Sequence, residues 1–280
     1  MHRIATSLLA LFVGCSPERP HGVEPAPPAP APQTPASGAS APEGWGREPR
    51  AEEPRELPGV ADVREIEGMM FVVQTLGGAR ADERLPLVVA MHGLGDTPES
   101  FVGLFDGMEL RARVASARAP DPYRGGGFAW LPVPRDEHDL RPALRRAVQM
   151  LERAMPGLTA AYPTCGAPIA VGFSQGGMVA FALAASARPA FAGVVPVSGL
   201  MPADMVPRTA PEGAPHVRAL HGDADAVVPV GPARSAVAAF RRAGYDVQMR
   251  EHPGVGHTIT QAMHRDIEAR LRTLAPACEP

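Results

Sequence analysis

Apolar and polar positions along residues 60–274 follow two distinct periods. Segments at 69–76, 85–91, 112–117, 168–173, 191–197, 216–220 and 245–251, of which 85–91 and 168–173 are compact apolar runs, are five to eight residues long and are bounded by turn-forming or charged residues. Length and boundaries identify them as strands, 112–117 being the weakest signal. Between them, 136–155 carries Leu140, Leu144, Val148, Leu151 and Met155 at helical spacing, with arginines in the intervals. Residues 178–187, 232–243 and 258–274 read as further helices, and a proline-rich loop runs to Pro215. Strands that alternate with helices predict a mostly parallel, doubly wound sheet with helices on both faces.

The first 58 residues obey neither period. His2 and Arg3 precede an apolar run, 8–13, that is too short to span a bilayer, so residues 1–14 read as an export signal. Phe12-Val13-Gly14-Cys15 resembles a bacterial lipobox, in which the cysteine after a small residue becomes the lipidated N-terminus; Phe12 stands where leucine is usual. Residues 16–58 hold twelve of the chain's 33 prolines and too few apolar side chains to fold alone. The expectation is an exported lipoprotein facing the periplasm or cell surface. Cys15 and a disordered Pro/Ala-rich spacer, 15–58, would hold a folded domain, 59–280, off the membrane.

Composition narrows the chemistry. The 280 residues suffice for one sizeable core. A net charge of -3 gives no electrostatic basis for nucleic acid as a partner. All 27 basic residues are arginine; without lysine there is no lysine nucleophile or base, and without asparagine no N-glycosylation site. There is no C-x-x-C pair, so a thiolate zinc site is not expected. With Cys15 lipidated, Cys165 and Cys278 remain, an even number in an oxidising compartment. Cys165 precedes the strand at 168–173 and Cys278 follows the last helix, so both fall at the same end of the sheet and are candidates for a disulfide.

Gly172-Phe173-Ser174-Gln175-Gly176 fits the G-x-S-x-G nucleophile elbow, with an apolar strand before it and a helical run after it. The glycines relieve a tight turn that lifts the serine oxygen clear of the sheet at a helix N-terminus. An elbow serine needs a base and an acid to orient that base, in the chain order Ser, acid, His. The segment His221-Gly222-Asp223-Ala224-Asp225 follows one strand, and Gly254-Val255-Gly256-His257 follows the last. Asp223 and Asp225 both qualify as the acid, with Asp225 preferred and Asp223 shaping the turn. His257 is preferred as the base over His221, His252 and His264, the last of which is expected to be exposed on its helix. The oxyanion hole needs two backbone N–H groups. Gln175, next to the serine, supplies one, and Leu94, in the glycine-rich loop His92-Gly93-Leu94-Gly95-Asp96-Thr97, supplies the other.

Together these four motifs resemble the phospholipase/carboxylesterase family of α/β-hydrolases, which includes acyl-protein thioesterases and small bacterial carboxylesterases. The resemblance covers residues of about 69–274. It implies the α/β-hydrolase fold and a triad of Ser174, Asp225 and His257, with Leu94 and Gln175 as oxyanion donors. It also implies a substrate contact at Trp130, because Gly126-Gly127-Phe128-Ala129-Trp130 matches a segment that lies beside the family's acyl site. Ala226 departs from the pattern, where proline often follows the aspartate. The expected activity is hydrolysis of a small-molecule carboxylic ester or thioester, carboxylesterase- or lysophospholipase-like, through an acyl-enzyme. It needs no metal or organic cofactor. A secreted polyester or feruloyl esterase and a serine peptidase are alternatives, and a non-catalytic binding lipoprotein is a further one. Oligomeric state has no signature here.

Overall fold

The computed structural model describes residues 60–132, 140–186 and 190–278; Cys15 and the spacer lie outside them. An eight-stranded sheet forms the centre of the described residues, in the order β1-β2-β4-β3-β7-β8-β9-β10. Its strands are β1 (Val60–Ile66), β2 (Met69–Thr75), β3 (Leu87–Met91), β4 (Arg113–Ala117), β7 (Ile169–Phe173), β8 (Gly193–Val197), β9 (His216–Gly222) and β10 (Val247–His252). β5 (Asp121–Pro122) and β6 (Phe128–Ala129) form a separate two-stranded hairpin. β1 pairs antiparallel with β2, and β2 antiparallel with β4; every pairing from β4 to β10 is parallel. The sheet is therefore the mostly parallel one that the alternation of elements predicts.

Side-chain alternation in the strands divides the core into two layers. Leu87, Val89 and Met91 of β3 face one cluster, and Val88 and Ala90 face the other. Over the first face lie α2 (Leu140–Ala161), α3 (Gln175–Ala184) and α4 (Val230–Ala243). The second face is covered by α1 (Pro98–Val102), the 3-10 turn Gly103–Phe105 that follows it, and α5 (Gln261–Leu274), through Phe101, Phe105, Met263, Ile267 and Leu271. α3 is buried nearly all round, which its small apolar residues allow; α2 instead buries one stripe, Leu140, Leu144, Val148, Leu151, Met155 and Leu158.

Several elements depart from the expected pattern. A strand, β1, precedes the one expected at 69–76; its charged, alternating sequence suits an edge and hides it from a search for apolar runs. α2 runs through Pro156 to Ala161 because the buried stripe continues to Leu158, whose packing outweighs the hydrogen bond that proline removes. α3 begins at Gln175 rather than 178, since the Ser174 carbonyl already accepts the first helical hydrogen bond, from the Met178 N–H at 2.9 Å.

The chain leaves β3 for β4 on one side and later returns as β7 on the other. The sheet order reverses between β3 and β7, and functional groups of open α/β sheets gather at the carboxyl ends of the strands there. The loop after β3 holds Leu94, and the turn after β7 holds Ser174.

Candidate active site

Ser174 stands between β7 and α3 with φ 54° and ψ -116°, a backbone conformation that non-glycine residues avoid. Its neighbours make the turn possible. A β-carbon on Gly172 would meet Gly176 O at 2.2 Å, and one on Gly176 would meet Met91 O at 2.0 Å. Only glycine fits either position. The Ser174 N–H donates to Val197 O at 2.9 Å, which ties the turn to β8.

From this serine a hydrogen-bonded chain runs inward. Ser174 Oγ lies 2.9 Å from His257 Nε2, and His257 Nδ1 lies 2.7 Å from Asp225 Oδ2. The carboxylate accepts only, so Nδ1 carries the proton and Nε2 is left to accept from the serine hydroxyl. The Asp225 side chain is 0% exposed and that of His257 16%. Burial pushes the Asp225 carboxyl up. The His257 ring and the Val228 and Val227 N–H groups, at 2.8 and 3.0 Å from Oδ1, outweigh that and hold it below its ordinary value. The Phe173 ring lies against the His257 imidazole, centroids 4.9 Å apart.

The structure separates the two aspartates. Asp223 Oδ1 accepts from the Gly254 N–H at 2.6 Å and braces the loop that carries His257. The rival histidines have other partners. His221 is buried beneath the Asp225 turn and donates from Nε2 to Val228 O at 2.8 Å. The His252 ring faces Asp266 of α5 at 3.2 Å. His264, expected to be exposed, is half-buried and donates from Nε2 to Leu104 O at 2.7 Å, because its helix face packs on the segment after α1.

Neither the Leu94 nor the Gln175 N–H donates to a carbonyl among the described residues. Gln175 is the first residue of α3, where main-chain donors lack helical partners and the helix dipole favours negative charge. Leu94, in the loop after β3, is 37% exposed. The side chain of Gln175 turns inward: its Oε1 accepts from Trp130 N and Leu131 N at 3.0 and 3.2 Å, and its Nε2 donates to Leu131 O at 3.0 Å.

Trp130 corrects an expectation. It is 1% exposed, so its ring lies beneath the site and offers a substrate no surface. Its indole N–H donates to His92 O at 3.0 Å. Sequence reasoning missed this layer: His92, the Gln175 amide, the Phe173 ring and the N–H pair of Val227 and Val228. His92 and Gln175 stand inside motifs that the sequence displays, but no spacing tells where a side chain points.

The fold, the turn and the residues around it define an α/β-hydrolase. A family model for phospholipase/carboxylesterase matches residues 78–275, and the chain belongs to that family. NocK of Nocardia uniformis subsp. tsuyamanensis, which bears the name of an esterase, is 32% identical over 231 residues, 79% of this chain and 64% of that protein. Acyl-protein thioesterase 1 of Gibberella zeae is 29% identical over 110 residues, 38% of this chain and 47% of its own length. The chain thus spans less than two thirds of these curated relatives. Among solved structures, esterase PE8 has a TM-score of 0.62 at 26% identity and covers 73% of this chain and 98% of its own. The Bacillus cereus carboxylesterase shares the fold, with a TM-score of 0.60 at 16% identity over 73% of this chain and 94% of its own.

Proposed function

We propose that this chain is a serine hydrolase of carboxylic esters or thioesters that works through an acyl-enzyme. Ser174 Oγ attacks the carbonyl carbon while its proton moves to His257 Nε2. Asp225 holds the Nδ1 proton and balances the imidazolium charge. The carbonyl oxygen becomes an oxyanion between the Leu94 and Gln175 N–H groups. The imidazolium then gives its proton to the leaving oxygen or sulfur, and the alcohol or thiol departs. Water, deprotonated by His257, attacks the acyl group on Ser174; the bond from the acyl carbon to Oγ breaks, the imidazolium returns the proton to Ser174 Oγ, and the acid is released. The observation that carries this reading is the unbroken hydrogen-bonded line from Ser174 Oγ through His257 to Asp225.

The test is covalent labelling with a fluorophosphonate probe, followed by hydrolysis of p-nitrophenyl esters of graded chain length. The expected result is one label on Ser174 and turnover of at least one ester. An unlabelled, folded protein that hydrolyses none of them overturns the reading.

The same proposal places the enzyme on a membrane through lipid on Cys15, with a small-molecule substrate reaching it from outside. It rests on the short apolar run that ends in Gly14-Cys15 and on the proline-rich stretch behind it. Cys15→Ser should move the protein from the membrane fraction to the soluble one, since an acyl anchor contributes about 0.8 kcal/mol per buried methylene. Intact-mass data without an acyl addition on Cys15 overturn it.

A further inference from the structure

The two oxyanion donors stand on different segments, the loop after β3 and the first turn of α3, and no hydrogen bond joins those segments at the donors themselves. Something must hold them at a fixed separation, since the position of an oxyanion donor matters on the scale of a few tenths of an ångström. Trp130 touches both. Its main-chain N–H donates to the Gln175 side chain at 3.0 Å, and its indole N–H donates to His92 O at 3.0 Å. From His92 the hold continues. Nε2 of His92 accepts from the Ala119 N–H at 3.2 Å, which fixes the proton on Nδ1, and Nδ1 donates to Gly93 O at 2.7 Å. Gly93 O and the Leu94 N–H belong to one peptide unit. A trans peptide is planar and points its two polar groups in opposite directions. A ring that grips the oxygen therefore aims the Leu94 N–H away from itself.

We infer that Trp130 is a positioning residue that locks the two oxyanion donors to each other through its indole N–H on His92 and its main-chain N–H on Gln175. This rests on the hydrolase reading given above. Trp130 touches no reacting atom; it acts through the Gly93–Leu94 peptide and the first turn of α3. Burial also favours the neutral His92 ring that the arrangement requires, since a second ring proton would face the Ala119 N–H.

The test is Trp130→Phe, which keeps an aromatic ring and the main-chain N–H but removes the indole donor, together with Gln175→Ala and the double variant. The probes are a p-nitrophenyl ester that the wild-type chain hydrolyses and a trifluoromethyl ketone with the same acyl group, whose hydrated or serine-bound form carries the oxyanion. The expected result for Trp130→Phe is a kcat lower by about tenfold to a hundredfold, short of the full loss of a donor, with KM within about twofold. Affinity for the ketone should fall by the same factor as kcat. Because both single variants break one clamp, the double variant should be less impaired than the product of the two single effects. Unchanged kcat and ketone affinity in a folded Trp130→Phe protein overturn the inference and leave Trp130 a core residue. A raised KM at constant kcat also overturns it, in favour of a substrate contact. If Trp130→Phe does not fold, Gln175→Ala decides alone: a kcat loss with KM held supports the clamp, and no loss overturns it. A wild-type chain that is neither labelled by fluorophosphonate nor active removes the hydrolase reading itself, whereas active wild type with undiminished variants removes only the clamp.

Discussion

The two ends of the sheet both bury polar groups, and they do so to opposite effect. At the amino ends of the strands Arg113 is 1% exposed. Its guanidinium donates to Pro163 O at 2.9 Å, Ala81 O at 2.7 Å and Glu83 O at 3.2 Å, and it lies over the Tyr162 ring. Cys165 is joined to Cys278 nearby, with Cα atoms 5.5 Å apart. Each of these donors ends on a carbonyl, and nothing is left to react. At the carboxyl ends, the buried Asp225 passes its hold to His257, and His257 to Ser174, the end of the line, which is 9% exposed. The lesson is that burial of polar groups does not mark a site. A buried chain of hydrogen bonds with one open end, on a backbone that only glycine neighbours permit, does.

The largest expected effect breaks that chain at its open end. Ser174→Ala should lower kcat/KM for p-nitrophenyl esters by about 10⁴-fold or more while the protein stays folded, since the remaining groups give only a residual acceleration. A variant that keeps the parent rate would put the site elsewhere. Next, Asp225→Asn should cost about 10³–10⁴-fold, because an amide stabilises the wrong imidazole tautomer and cannot balance its charge. Asp223→Asn keeps an acceptor for the Gly254 N–H and should cost less than about tenfold. Equal losses would erase the distinction the geometry draws between the two aspartates.

The opposite end should answer in stability and not in rate. Cys165→Ser, or reduction of the bond, should destabilise the fold by about 2–4 kcal/mol through the loop it closes in the unfolded chain, with kcat unchanged. The loop is long, with a sequence separation of 113 residues. Thermal unfolding with and without reductant, beside an esterase assay, checks it. Two free thiols per chain in the denatured, unreduced protein would remove the bond, and a fallen kcat would show that the two ends are coupled.

How far the chain could be read from its sequence follows the same division. Groups fixed by local pattern were legible: the elbow, the strands that lead to it, the order of Ser174, Asp225 and His257, and the cysteines at one end. These depend on period and on glycine, which a sequence displays. What was not legible depends on side chains that leave their own element. The Gln175 amide reaches a segment 45 residues away in sequence, and Arg113 reaches three carbonyls up to 50 residues away. β1 was missed because an edge strand needs little apolar surface. Trp130 was misread because a tryptophan after glycines looks alike whether its ring lines a cleft or lies beneath it.

The smallest effect is one of pH, and it should begin at the carboxyl ends of the strands. His92, His221 and His252 are all buried there, and burial lowers each pKa from the ordinary histidine value of 6.5. Asp96 and Glu99 act on His92 to raise it. Asp225 and Glu251 raise His221, while His257 lowers it. Asp266 raises His252, while Arg250 lowers it. Desolvation prevails in all three. A histidine with a depressed folded value binds a proton more readily in the unfolded chain. Its neutral state therefore supports the fold fully above 6.5, and that support is lost as pH falls from 6.5 toward the folded value. Each can contribute at most about 1.4 kcal/mol per pH unit within that window. The depressed Asp225 carboxyl acts in a separate window: its support is present above the ordinary value of 3.8 and is lost as pH falls through its folded value. Arg113 and the cysteine pair do not titrate in either. Hydrogen-exchange protection factors, corrected for intrinsic rates, should thus fall as pH drops below 6.5 at residues 92–95, 221–228 and 252–257, and hold at 111–113 and 163–166. His221→Gln should flatten part of the decline, since glutamine has an N–H for Val228 O and no proton to gain. Loss of protection at both ends together, or an undiminished slope in variants of all three histidines, would show that acid acts on the whole fold and that these rings are not its entry point.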